Sequence, residues 1–225
     1  MITGEQFGFL LDRQILDVVG ITQEGIHTIE TKNLHAVLLK VDLVKVYDHI
    51  DWFFLRLILL HVGLDGEMVR WTMACMGNVH FAVLINGAHT EFFQGQRGLR
   101  QGFPLSPLLF LIIIDGLSRL LSNAKTKGDI QGIHILDSYA LSHILYVDDV
   151  LLFGGNERKE WAKFLEIFHL LCQASGMELS CSKSCLIAHG GTIDPSIKDI
   201  FQYPTIPWFY FETGWIWKER LVLVD

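Results

Sequence analysis

AVLLKVDLVKVYDHIDWFFLRLILL, residues 36–60, changes its periodicity half-way along, and that change decides the fold. Its first eight residues, AVLLKVDL, are dense in β-branched and aliphatic side chains and have the length of a buried strand. Asp42 stands at the end of that strand. Asp51 then offers the side chain of a helix N-cap, and Phe54, Leu55, Ile58 and Leu59 recur behind it at three- and four-residue spacing. Strand, carboxylate, helix is the predicted order.

Outward from this segment, residues 81–86 with Gly87 predict a strand that returns through 91–93 as a hairpin. The loop QRGLRQGFPLSP, residues 96–107, delivers the chain into an apolar helix over 107–121, with prolines at its start, where a missing N–H costs nothing. Residues 143–149 and 150–153 are short apolar segments around Asp148 and Asp149, which predicts a strand-turn-strand hairpin. Over 157–174, Trp161, Phe164, Leu165, Phe168 and Leu171 trace one helical face that ends at Gly176. A last strand is predicted near 183–188. The fold class is therefore α+β, an antiparallel sheet backed by helices. From about Pro195 the chain changes character: it holds three of the five prolines and the run WFYFETGWIW, with no assignable period.

The bulk composition bounds what such a fold can do. The 225 residues are 50% hydrophobic and only 19% charged, with mean hydropathy +0.33, which is apolar for a free-standing monomer and points to surface that a partner covers. A net charge of −7 opposes a protein that grips nucleic acid unaided, because phosphate contacts need Lys and Arg. The longest apolar runs, such as 108–114, fall short of the roughly 18 residues of a membrane span, so none is expected. Residues 1–6 lack the basic and apolar segments of a secretion signal, and an intracellular location, the nucleus included, is expected. Cys75, Cys172, Cys181 and Cys185 are too few for a disulfide framework and are expected reduced. Cys181, Cys185 and His189 lie at four-residue intervals, yet no second ligand pair accompanies them, so the spacing reads as accidental.

Three carboxylates stand at strand ends: Asp42, and the adjacent pair Asp148 and Asp149 in YVDD. Adjacent carboxylates in an apolar hairpin repel and lose hydration, so they are costly unless a cation neutralises them. Magnesium takes carboxylate oxygens and keeps positions open for phosphate, and two such ions about 4 Å apart activate a hydroxyl and stabilise a leaving pyrophosphate. Against this stands the plain reading, in which a DD pair is a polar turn and Asp42 an ordinary strand-end residue.

LLKVDLVKVYDHIDW (38–52), GLRQGFPLSPLLF (98–110) and YVDDVLLF (146–153) resemble, in order and spacing, the catalytic motifs of LINE-type, non-LTR retrotransposon reverse transcriptases. The likeness continues through HVGL, FAVLINGA, ASGM, SKSCLI and, early in the chain, GEQFGFLLDRQILD, covering roughly residues 5–190. It implies a polymerase palm over 36–190, a remnant of the fingers over 1–35, and a divergent tail over 191–225 with 203–211 as the candidate for a primer-grip hairpin. It implies an RNA-directed DNA polymerase using an RNA template, a DNA primer, deoxynucleoside triphosphates and two Mg²⁺ ions, with Mn²⁺ as a substitute. Position by position, Asp42 and Asp148 match the metal-holding aspartates and Asp149 the supporting one. Tyr47 matches the aromatic gate that leaves no room for a 2′-hydroxyl; its plain reading is core packing. Arg100, Gln101 and Gly102 match the loop that touches template and nucleotide, and Lys183 the lysine near the triphosphate. His49, Arg97 and Asp115 read as structural.

Some positions depart from the family's pattern. Phe103 stands where Cys or Asp is usual, Val147 where Ala is, Ser180 where Asn is, and LLDRQ (10–14) replaces a Pro-Gly before Arg-Gln. The short chain implies a truncated polymerase that needs fingers, thumb or endonuclease regions from elsewhere. The alternative is an inactive or co-opted element fragment with at most a binding role. A nucleic-acid-binding module of the RNA-recognition type is a third reading, but it would want basic residues and exposed aromatics on the sheet, where carboxylates stand instead.

Overall fold

The strand that begins at Ala36 becomes the middle of a five-stranded sheet in the computed structural model, which describes residues 2–136, 139–180, 183–190, 193–201 and 205–207. The first half of the chain holds α1 (Ile15–Thr31), β1 (Ala36–Val41), β2 (Leu43–Val44), α2 (Val46–His49), α3 (Trp52–His61), α4 (Gly66–Gly77), β3 (His80–Phe81), β4 (Leu84–Ile85), β5 (Ala88–His89) and β6 (Phe93–Gln94). After these come α5 (Ser106–Thr126), β7 (Ile133–Leu136), β8 (Tyr139–Leu141), β9 (His143–Tyr146), β10 (Asp149–Gly155), α6 (Arg158–Ser175), β11 (Glu178–Leu179), β12 (Cys185–His189), α7 (Pro195–Phe201) and β13 (Thr205–Pro207).

The sheet order is β13-β12-β1-β10-β9. β1 runs antiparallel to both neighbours, from Ala36↔Gly155 to Val41↔Val150 on one side and from Ala36↔His189 to Lys40↔Cys185 on the other. Both faces of β1 are covered, which is why AVLLKV reads as a continuous apolar run instead of an alternation. Val37, Leu39 and Val41 join Leu145, Val150, Leu152 and Leu186 in the larger core. Ala36 and Leu38 face the other way, into a second layer with Ile144, Leu151, Phe153 and Ile187 and with Val18 and Ile29 of α1.

Three helices back the larger core: Leu55 and Leu59 of α3, Phe110, Ile113, Ile114 and Leu117 of α5, and Trp161, Phe164 and Phe168 of α6 are all buried against it. At 21 residues, α5 is long and apolar enough to cross a membrane by length and composition, although no span is expected from the sequence. Its row of core contacts accounts for that composition without a bilayer. The caps fall where they are predicted. The Asp51 carboxylate accepts from the Phe54 N–H at 2.9 Å, and α6 stops at Gly176 with φ +76°.

Elsewhere the chain departs from expectation. The hairpin after Phe81 turns tightly at Asn86 and Gly87, both with positive φ (49° and 85°), so its return begins at Ala88 instead of 91. β3 and β6 then pair below it to extend the same ribbon. The predicted helix over 107–121 continues to Thr126. α1 is not predicted, because its buried positions include Thr22, Gly25 and Thr28, which blunt the apolar period. Asp149 belongs to β10, so the loop of the hairpin is Val147 and Asp148 alone. Of the primer-grip candidate, 205–207 form β13, parallel to β12, and the remainder lies outside the described residues, as does Cys181.

Candidate active site

The edge of the sheet where β1 ends gathers the residues singled out from the sequence. Val41↔Val150 is the last pair between β1 and β10, so Asp42 leaves β1 at the same end of the sheet where Asp149 opens β10. Asp42 interrupts the strand and is half-buried. Its main chain is held on both sides by the segment before β12: its N–H donates to the Ser184 hydroxyl at 3.0 Å, and its carbonyl accepts from the Ser180 N–H at 2.9 Å. Lys183, exposed and adjacent to Ser184, is thereby brought beside Asp42 in the backbone.

Asp148 and Asp149 diverge although they are neighbours. Asp149 occupies a strand position that alternates with the core residue Val150, and its carboxylate pairs with Lys40 at 3.9 Å on the second face of the sheet. Both partners are partly buried, at 25% and 12% side-chain exposure, which strengthens the pair relative to a surface one. Lys40 is the one charge in AVLLKV, and its use becomes legible only with the cross-strand register. Asp148 lies instead on the side of Tyr47, whose phenol is pushed up first by burial and then by the negative charge of Asp148.

Tyr47 sits on α2, a single turn entered through Lys45 at φ +39°. Its ring stacks on Phe110 with centroids 5.0 Å apart, and the side chain as a whole is half-buried. The loop that precedes α5 docks on this turn. The Gly98 N–H donates to the Ile50 carbonyl at 2.7 Å, and the Trp52 indole N–H donates to the Gly98 carbonyl at 2.8 Å. Gln101 reaches Asp48, its amide donating to the carboxylate at 3.4 Å. Arg100 lies with its guanidinium 4.2 Å from the centre of the Phe103 ring, and its buried Nε has no hydrogen-bond partner. Gly102, at φ +79°, faces open space.

Seven of the eight predicted residues thus cluster in three contacts around the end of β1: Asp42 with the Ser180–Ser184 segment that carries Lys183, Asp148 with Tyr47, and the 98–103 loop with α2. Asp149 turns to the other face. Lys40, Asp48, Trp52 and Ser184 complete the arrangement and carry no signal in the sequence beyond their nearness to the motifs. A divalent cation suits the chemistry of the donor set, which offers hard carboxylate oxygens at half-buried strand ends. Among the described residues, no group of three or more His, Cys, Asp or Glu side chains is gathered to hold a metal ion.

The family described as reverse transcriptase (RNA-dependent DNA polymerase) matches residues 1–206. An uncharacterized mitochondrial protein of Arabidopsis thaliana is 42% identical over 76 residues, 32% of this chain and 62% of that protein. A retrovirus-related Pol polyprotein from the type-1 retrotransposable element R2 of Popillia japonica is 24% identical over 51% of this chain and 18% of its own length. The transposon TX1 149 kDa protein of Xenopus laevis is 25% identical over 84% of this chain and 14% of its own. The chain therefore spans less than two thirds of each of these relatives. Among solved structures, telomerase from Candida albicans in complex with a fragment of telomeric RNA has TM-score 0.60 at 14% identity, covering 80% of this chain and 31% of that one. Apo telomerase from Candida tropicalis, truncated of its C-terminal domain, gives 0.60 at 12% identity, over 84% and 37%. The shared feature is the palm-like α+β fold.

Proposed function

Because the chain belongs to the reverse transcriptase (RNA-dependent DNA polymerase) family, we propose that it is the palm of an RNA-directed DNA polymerase of the non-LTR retrotransposon type. The reaction joins a DNA primer to a deoxynucleoside triphosphate on an RNA template. The primer 3′-hydroxyl attacks the α-phosphate in line, a new P–O bond forms, the bond to the β-phosphate oxygen breaks, and pyrophosphate leaves. Two divalent ions would supply activation of the hydroxyl and neutralisation of the leaving pyrophosphate.

The chain's own residues have the following parts in this reading. Asp42 and Asp148 are the carboxylates that hold the ions, and Asp149 supports the hairpin from the other face through Lys40. Tyr47, backed by Phe110, bounds the sugar of the incoming nucleotide. Gln101 and Gly102 meet nucleotide and template, with Arg100 held flat on Phe103. Lys183, beside Asp42, offsets charge on the triphosphate. The observation that supports the reading is the register, in which the end of β1 lies beside the start of β10, so that Asp42 follows its strand next to the hairpin that carries Asp148. Template and primer would be met inside the cell.

A second reading, an element fragment without turnover, is favoured by the net charge of −7. The two readings part in one pair of measurements on the 225-residue chain. Weak Mn²⁺ binding, followed by the loss of the free-ion EPR signal, is expected and should fall in Asp42→Asn and Asp148→Asn. Primer extension on a homopolymer template with Mg²⁺ is expected to give little product, because the triphosphate and duplex need a basic surface. Robust synthesis that vanishes in Asp148→Asn would make the chain a polymerase in its own right. Synthesis or Mn²⁺ binding that survives Asp148→Asn unchanged would overturn the site assignment.

A further inference from the structure

The turn that presents Asp148 is in an unfavourable conformation, and what holds it lies at the other end of the chain. Tyr146 and Asp149 are paired, so Val147 and Asp148 form a two-residue hairpin loop. Val147 has φ +56°, in the left-handed region that such turns ordinarily fill with Gly, Asn or Asp. A β-branched residue is disfavoured there and keeps that conformation only where its surroundings over-determine it.

Residues 5–8 are those surroundings. The Leu145 N–H donates to the Glu5 carbonyl at 2.9 Å, and the Phe7 N–H donates to the Leu145 carbonyl at 2.9 Å, so the segment lies along β9 as a short added strand. Gly8 then presses on the turn itself. A Cβ at Gly8 would fall 2.5 Å from Val147 Cγ2 and 2.6 Å from the Val147 backbone nitrogen, so only glycine allows the approach. The segment is tied down in turn. Arg13 Nη1 donates to the Thr3 carbonyl at 2.6 Å and also to that of Gln6. The Thr3 N–H donates to Asp115 at 2.8 Å, and the Thr3 hydroxyl donates to Ser118 at 2.7 Å, both on α5. Ser118 lies 2.9 Å from His143 of β9, which closes the circuit.

We infer that residues 3–8 are a brace for the Val147–Asp148 turn, with Gly8 as a positioning residue that fixes where Asp148 projects. The consequence for cation binding rests on the function proposed above; the conformational claim does not. Amide hydrogen exchange on the whole chain reads that claim directly. In Gly8→Ala the amides of 146–149 should exchange about tenfold faster, equivalent to about 1.4 kcal/mol of lost local stability, with α6 protection unchanged. Gly4→Ala is the control, since a Cβ there meets nothing within 4 Å and the turn should be unaffected. Arg13→Ala loosens the same brace without a clash and should act in the same direction, which keeps the test decisive if Gly8→Ala loses α6 protection and so fails to fold. Unchanged turn exchange in the folded Gly8→Ala, or in Arg13→Ala should it be the one that folds, overturns the brace, as does an equal rise in Gly4→Ala. Mn²⁺ titration adds the positioning readout, with affinity about tenfold weaker in Gly8→Ala and unchanged in Gly4→Ala. Unaltered affinity beside a loosened turn would refute the positioning of Asp148. A wild-type chain that binds no Mn²⁺ would remove the metal reading and leave exchange to decide on the brace.

Discussion

Tyr47 packs on Phe110, and the gate role proposed for the same ring can be tested apart from that packing. Phe110 supports one face, and burial, followed by the charge of Asp148, pushes the phenol up. In any longer, active form of the protein, Tyr47→Ala should relax discrimination between deoxy- and ribonucleotides in primer extension. Unchanged discrimination would assign the ring to the core alone. His143 offers a second test. It is fully buried between Ser118 and Ser142, and burial, with a smaller push from the Lys125 charge, lowers its imidazole to about 3. The unfolded chain takes up this proton near its ordinary 6.5, whereas the folded chain refuses it until about 3. The stabilisation is thus complete above 6.5 and is lost as pH falls toward 3, by up to about 1.4 kcal/mol per pH unit. Urea unfolding at several pH values should show this slope flattened in His143→Gln; equal slopes would place the acid lability elsewhere. The candidate carboxylates stand out in the sequence because their motifs are contiguous. The pairing of Lys40 with Asp149 was not, since it depends on which residues the register sets diagonally across two strands.

The loop before α5 shows how an element is positioned by one residue. Gly98, at φ +89°, brings its backbone against α2 so closely that a Cβ would lie 2.8 Å from the Asp48 carbonyl. Gly98→Ala is therefore expected to cost about 1–2 kcal/mol in urea unfolding and to speed tryptic cleavage at Arg97 and Arg100. A variant as stable and as resistant as the parent would show that the loop does not depend on this contact. Elements with one clear period were readable in advance: β1 as a continuous apolar run, α3 and α6 through their apolar faces and ends. α1 was not, because it packs on the second layer through small and polar positions as much as through Val18 and Ile29. The start of the return after Asn86–Gly87 was misplaced by three residues and the Val147–Asp148 loop by one, since apolar patterning gives the face of a strand more sharply than its end. The N-terminal brace had no local signal at all, being a contact between backbone and a distant turn.

At the scale of the whole molecule, the apolar composition is only partly spent on the two cores. Phe53, Leu57 and Leu60 of α3, Trp71 of α4, and Leu84, Ile85 and Phe92 of the ribbon remain exposed, Phe53 at 70%. Such surface drives association, so sedimentation velocity of the isolated chain should show concentration-dependent self-association that is reduced in the double variant Phe53→Ser, Leu57→Ser. Concentration-independent monomer behaviour would mean that these side chains are too dispersed to act as a patch. This surface was anticipated by the mean hydropathy of +0.33, although its location was not. The short added strand at β9 has a further consequence, for the protein as a material. It occupies the backbone N–H and carbonyl of Leu145 on the outer edge of HILY, a strand of high β-propensity. A chain trimmed of its first eight residues would offer that edge as a template for strand addition by its own copies, and would be drawn toward fibres instead of toward solution.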